Sequence, residues 1–145
     1  MKKTLSLFLV VVGSAGLCLG ADTKDQLLHA TLVEKLSGEG VTSFSADVPK
    51  IYALWKGDAI KVGDKVRGVW IADDVGEAAP KNTRIDEASV TAEKANEDGS
   101  FSISKPDKGW PVGKYRLELY VGERLAETLK FTIDADDSED DPKSK

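Results

Sequence analysis

The sequence predicts an all-β chain folded as an antiparallel sandwich of about seven strands, and three observations carry that expectation. Apolar and polar residues alternate with a period of two through the middle of the chain. Gly, Asp and Pro punctuate the apolar runs at short, regular intervals. No long stretch sustains the 3.6-residue period of an amphipathic helix, which leaves strands as the building units.

In chain order, Leu27–Leu36 reads as a first strand, with a short helix as its alternative. Thr42–Val48 is a short edge piece that stops at Pro49. Ile51–Lys56 is apolar on both faces, and Asp64–Ala72 sets Val66, Gly68, Trp70 and Ala72 on one side against Val69 and Ile71 on the other. Ala88–Lys94 and Ser100–Ser104 follow, joined through a turn at Asn96–Gly99. Lys114–Val121 is the clearest strand, with Tyr115, Leu117, Leu119 and Val121 facing one way. Gly122-Glu123 suits a type II′ turn into Leu125–Ile133, whose Leu125, Leu129, Phe131 and Ile133 share the inner face. Glu127 interrupts that face near the turn.

The ends read differently. Lys2 and Lys3 precede an apolar run over Leu5–Leu19 that closes on small residues, the pattern of a secretory signal peptide spanning 1–20. Cleavage after Gly20 has Cys18 and Gly20 at the small-residue positions, whereas a cut after Ala21 puts Leu19 there. Cys18 raises lipidation as an alternative fate, but Leu17 stands where a lipoprotein signal has a small residue. The expected destination is the periplasm or the outside, without a membrane partner apart from that lipid. Residues 21–26 form a loose lead-in, 27–133 the sandwich, and 134–145 (DADDSEDDPKSK) an acidic tail too poor in apolar residues to fold.

Losing Lys2 and Lys3 with no acid moves the net charge from −5 to −7. Such a domain repels phosphate backbones, so nucleic acid is not expected as a partner. Anionic lipid is disfavoured for the same reason. Export before Ala21 would also remove Cys18, the one cysteine, and with it thiol chemistry and disulfides.

Trp110-Pro111-Val112-Gly113-Lys114-Tyr115-Arg116-Leu117 resembles the start of strand F in immunoglobulin-like domains. The resemblance is to small secreted bacterial immunoglobulin-like and fibronectin type III-like sandwich proteins of unassigned function. It implies that Tyr115 is a tyrosine-corner residue and that Trp70 is the core tryptophan of strand C. It also implies that Leu117 stands where antibody domains keep a cysteine. It implies nothing about activity, because such sandwiches host adhesins, chaperones, inhibitors and spacers alike.

Chemistry-bearing patterns are sparse. His29 is the single histidine, so any Ser-His-Asp arrangement must use it, and no nucleophile-elbow sequence is present. The count also argues against a His/Cys zinc site. The acid pairs Asp73-Asp74, Asp86-Glu87 and Glu97-Asp98 read as solvated turns. The tail fails as a calcium loop because Glu139 and Lys145 fall where glycine and glutamate are needed. The expectation is therefore no catalytic residue, no cofactor, no metal and no enzyme.

The aromatic and apolar residues carry more. If Ile51, Ala53, Trp55 and Trp70 point inward, Tyr52, Leu54, Val69 and Ile71 point outward, and adjacent strands would join them into one apolar patch. The competing reading has the first strand or the 73–87 connection cover it. Trp110 either packs over the sandwich end beside Tyr115 or forms an exposed platform for a sugar ring or a protein. The expected function is a non-catalytic exported module that contacts an unknown protein partner through Tyr52, Leu54, Val69, Ile71 and Trp110. The alternatives are a carbohydrate- or small-ligand-binding sandwich and a structural spacer.

Overall fold

The computed structural model describes residues 26–135. The expected signal peptide, residues 21–25 of the expected lead-in and residues 136–145 of the expected tail lie outside the described residues. Eight strands follow in order: β1 Leu28–Val33, β2 Ser43–Ser45, β3 Lys50–Gly57, β4 Lys65–Asp74, β5 Thr83–Thr91, β6 Asp98–Ser104, β7 Gly113–Val121 and β8 Arg124–Asp134. They form a small sheet, β1-β3-β6, and a large sheet, β2-β8-β7-β4-β5. Every pairing is antiparallel except that of β2 with β8. The eighth strand, relative to the seven expected, comes from counting the three-residue β2 as an element.

Alternation explains the core. Ile51, Ala53 and Trp55 from β3, Val66, Trp70 and Ala72 from β4, and Tyr115, Leu117, Leu119 and Val121 from β7 all lie in one buried cluster. The sheets close tightly: a methyl group on Gly68 would sit 3.0 Å from the Phe101 ring. The β7–β8 hairpin turns through Gly122 at φ 64°, and Glu123 keeps a negative φ, the signature of a type II′ turn. The segment read as strand or helix at the start is a strand, paired with β3 over its whole length.

Three local expectations change. The connection after β4 is shorter than expected, because β5 begins at Thr83 and not at Ala88. Residues 75–82 separate it from β4 and hold one 3₁₀ turn, Gly76–Ala78. Asn96–Gly99 makes no hairpin, since β5 and β6 belong to different sheets. Leu125 leaves the inner face: Leu119 faces Glu127 while Tyr120 faces Leu125, so Ala126 is an extra residue that flips the parity. Leu125 is half exposed in consequence.

The same bulge gives Glu127 a structural task. Its carboxylate accepts the Ala30 backbone N–H at 2.6 Å, along the edge of β1 that faces away from β3, and a Gln26 amide N–H at 3.3 Å. One charged side chain thus stitches the large sheet to the small one. Burial pushes this carboxyl above its ordinary range, while the Ala30 hydrogen bond acts in the opposite sense.

Candidate functional site

The topology separates the residues that were expected to form one patch. β3 lies in the small sheet and β4 in the large one, so Tyr52 and Leu54 face solvent on one side of the molecule and Val69 and Ile71 face the other. No joint patch exists. Tyr52 and Leu54 are half-buried, with Thr31 and Ser100 beside Leu54 in register and the Lys50 ammonium 5.9 Å from the Tyr52 ring.

Val69 and Ile71 are only 5% and 7% exposed. Their cross-strand neighbours are Glu118, Glu87, Arg116 and Arg84, long side chains whose stems cover apolar surface while their heads stay wet. Those heads form a charge lattice. Glu87 accepts from Arg67 at 3.1 Å and Arg84 at 2.8 Å. Arg116 binds Asp73, Glu118 and Asn82 together. The Arg67 guanidinium lies 4.5 Å from the Tyr120 ring. The Arg67 hydrogen bond holds the Glu87 carboxyl below its usual range. Burial pushes Glu118 up, but hydrogen bonds from Arg116 and Tyr120 outweigh it and leave this carboxyl lowered too.

Trp110 is no exposed platform. It is 5% exposed, donates its indole N–H to the Val48 carbonyl at 2.8 Å, and meets the Tyr115 ring edge-on at 6.1 Å. Tyr115 stacks on Phe131 at 5.3 Å, with Trp70 edge-on to that same phenylalanine, and Leu117 is fully buried. The Tyr115 hydroxyl donates to the Pro111 carbonyl four residues upstream at 2.5 Å, which ties β7 to the loop before it.

Burial pushes the Tyr115 phenol up to about 12. By linkage its share of stability is whole below pH 10, the unfolded value, and is lost as pH rises from there through about 12. Tyr115→Phe is expected to lose about 1 kcal/mol at neutral pH through the missing hydrogen bond, and to show a shallower alkaline decline. Urea melts at pH 7 and pH 11 check both, and an unchanged midpoint at pH 7 would remove the corner from the account.

What remains open is the edge of the large sheet. β5 pairs with β4 on one side and with no strand on the other. None of its nine residues is buried. Val90 faces the core residue Val66 and therefore sits on the inner side, yet is 41% exposed, and Ile85 on the same side is 39% exposed. Beside Ile85 lies an apolar cleft of about 140 Å³ walled by Val75, Pro106, Trp110, Pro111 and Tyr115. The two hydroxyls on its rim are turned to backbone, Tyr115 to Pro111 and Thr83 to the Pro80 carbonyl at 2.6 Å.

The first half of β5 is guarded. It carries Arg84, Asp86 and Glu87, a register shift at Ile85, and an Asp86 carboxylate that takes the Glu87 backbone N–H at 2.8 Å. The second half, Ala88–Thr91, carries no charge. A signal for this edge existed in the sequence: β-branched residues at Thr83, Ile85, Val90 and Thr91 interleaved with charges suit a strand with one wet edge.

Elsewhere, His29 is exposed and bonded to Asp58 at 2.8 Å, on the rim of a shallow groove of about 480 Å³ that crosses the outer face of the small sheet. Among the described residues, no group of three or more His, Cys, Asp or Glu side chains is arranged to hold a metal.

Two sheets in these strand orders, sealed by a Tyr115 corner and a Trp70 core, make the domain an immunoglobulin-like β-sandwich. Among solved structures it is similar to an immunoglobulin-like protein from Pseudomonas aeruginosa, at 14% identity and a TM-score of 0.48, over 73% of this chain and 90% of that one. It is also similar to part of a β-glucosidase from Listeria innocua, at 6% identity and a TM-score of 0.46. That match covers 75% of this chain but 16% of the glucosidase. A β-glucosidase from Erythrobacter marinus matches at 13% identity and a TM-score of 0.44, over 73% of this chain and 14% of that one. No protein-family model matches the chain, and no curated protein does.

Proposed function

We propose that this chain is an exported, non-catalytic interaction module that binds a protein partner along β5. The observation that carries this reading is the overhanging edge strand, nine residues long, with Ile85 and Val90 exposed on the side where a sandwich strand is normally covered. A partner strand added beside Ala88–Thr91 would complete backbone hydrogen bonds and bury Val90. Ile85 and the apolar cleft beside it would take a bulky apolar side chain, and Arg84, Asp86 and Glu87 would form the polar rim. The signal-like N-terminus supports export. Burial of Trp110 removes the aromatic that a sugar-binding reading relied on.

Site-specific photocrosslinking in the native cell tests the reading. A photoreactive residue replaces Val90, Tyr52 or Thr128 in turn. The expected result is a protein-sized adduct at Val90 and little at Thr128. Adducts at Tyr52 alone would move the interface to the outer face of the small sheet. Adducts at neither would leave the domain a spacer.

A further inference from the structure

We infer that the strand added to β5 is β5 of a second copy of this chain, paired antiparallel about a two-fold axis through Ser89. The inference rests on the reading of β5 as an interaction edge and names what pairs there.

Backbone direction sets which groups a partner can use. Ala92 donates its N–H to the Asp64 carbonyl, and its own carbonyl accepts the Gly63 N–H, so Ala92 directs its peptide groups at β4. The Lys65 carbonyl, opposite Thr91, is taken from the other side by the Gly122 N–H. Strand backbone alternates, and the register from Thr91 to Glu87 is unbroken. Val90 and Ala88 therefore also turn towards β4, while Glu87, Ser89 and Thr91 turn their peptide groups to the open edge. The outward Glu87 N–H is closed off by the Asp86 carboxylate at 2.8 Å. The edge thus offers a partner strand the Glu87 carbonyl and both groups of Ser89 and Thr91.

Charge and length select the second copy and its register. A two-fold axis perpendicular to the sheet keeps each residue on its own face, so the axis must pass beside one residue and its copy. Centred on Glu87, it sets that carboxylate opposite its own copy. Centred on Ala88, it sets Asp86 opposite Val90, and centred on Val90, it sets Glu87 opposite Glu93. Centred on Ser89, it does none of these. Ser89 then exchanges both backbone hydrogen bonds with Ser89 of the second copy, and each Thr91 N–H meets the Glu87 carbonyl across the axis. On the inner face Val90, 41% exposed in the single chain, lies against Ala88 of the second copy. On the outer face Glu87 meets Thr91 of the second copy, with Lys65 one strand further on, roughly 10 Å between backbones and within reach of the two side chains. Lys65 makes no ion pair among the described residues of its own chain. The pairing also ends where the edge is already closed. The second copy turns into its own sheet at Ala92, opposite Asp86, whereas a longer foreign strand would run on against Asp86 and Arg84.

Cysteine trapping tests both the partner and the register, in the chain as the cell produces it with Cys18→Ser added so that no other thiol reacts. In the Ser89→Cys chain the two thiols sit opposite each other, about 5.5 Å between Cα atoms, inside the range that a disulfide bridges. In the Thr91→Cys chain they lie roughly 14 Å apart along the paired strands, outside it. Mild oxidation should therefore give covalent dimer about tenfold faster or more for Ser89→Cys than for Thr91→Cys. Sedimentation of the parent chain from about 10 μM to about 1 mM should show a concentration-dependent dimer. Val90→Glu, which sets carboxylates diagonal to each other and to Asp86 of the second copy, should abolish it. Equal crosslinking rates at the two positions overturn the inference, as does a dimer that Val90→Glu leaves intact. A chain that stays monomeric throughout that range also overturns it. If that monomer still captures a different protein through Val90 in the cell, the reading of β5 as an interaction edge stands and only the second copy falls. If Val90 captures nothing, both fall.

Discussion

Gly113→Ala is expected to destabilise the domain by about 3–5 kcal/mol, adding backbone strain to overpacking. Gly113 opens β7 at φ 154°, in a region of backbone space that side chains rarely enter. An alanine methyl there would lie 2.4 Å from the Asp74 carbonyl oxygen and 2.8 Å from the Val75 Cα. Both obstacles are backbone, so no side-chain rotation relieves them. The site is also where β4 gains an extra residue opposite β7, between Ala72 and Asp74. A displaced Gly113 would therefore disturb the entry to β7, the Tyr115 hydrogen bond two residues on, and the wall of the apolar cleft. Urea denaturation gives the check: the midpoint should fall sharply with the slope unchanged. A Gly113→Ala chain that melts within 0.5 kcal/mol of the parent, the range of an ordinary surface change, would show that this close approach does not exist.

Much of the fold was legible because burial alternates. β3, β4, β7 and β8 each bury every second residue over part of their length, and the sequence pattern records it directly. Alternation reports which face a residue takes, but not which sheet its strand joins. β3 and β4 are consecutive in sequence and were expected side by side. The chain instead crosses between sheets after Gly57, with Ile60 plugged into the core and its N–H bonded to Asn96 at 3.0 Å. That crossing is why Tyr52 and Leu54 never meet Val69 and Ile71. A single extra residue at Ala126 was equally invisible, and it turned Leu125 from core to surface. The first half of β5 was legible only through β-branched Thr83 and Ile85: an overhanging edge buries nothing, so Thr83–Glu87 lacks the run of core residues that marks the other strands. Covering of Val69 and Ile71 by arginine and glutamate stems depends on cross-strand neighbours, which only the register supplies.

Trp110→Ala distinguishes the two roles that the sequence left open for this residue. A solvent-facing platform could be truncated for less than about 0.5 kcal/mol. A tryptophan buried as this one is should cost about 3–5 kcal/mol, from lost apolar burial plus the void left behind. Here the void would merge with the apolar cleft that Trp110 walls, and the Val48 carbonyl would lose its donor. Trp110→Phe separates the contributions in part, since it keeps a six-membered ring against Tyr115 while losing the N–H and the smaller ring that carries it. Its loss should be smaller, about 1–2 kcal/mol. In urea, with a slope of about 1–2 kcal/mol per molar for a domain this size, the alanine variant should unfold about 1.5–5 M earlier than the parent. If both variants melt like the parent, Trp110 is exposed in solution, the cleft at the sandwich end is not as described, and an aromatic sugar platform returns as the leading use of that end of the domain.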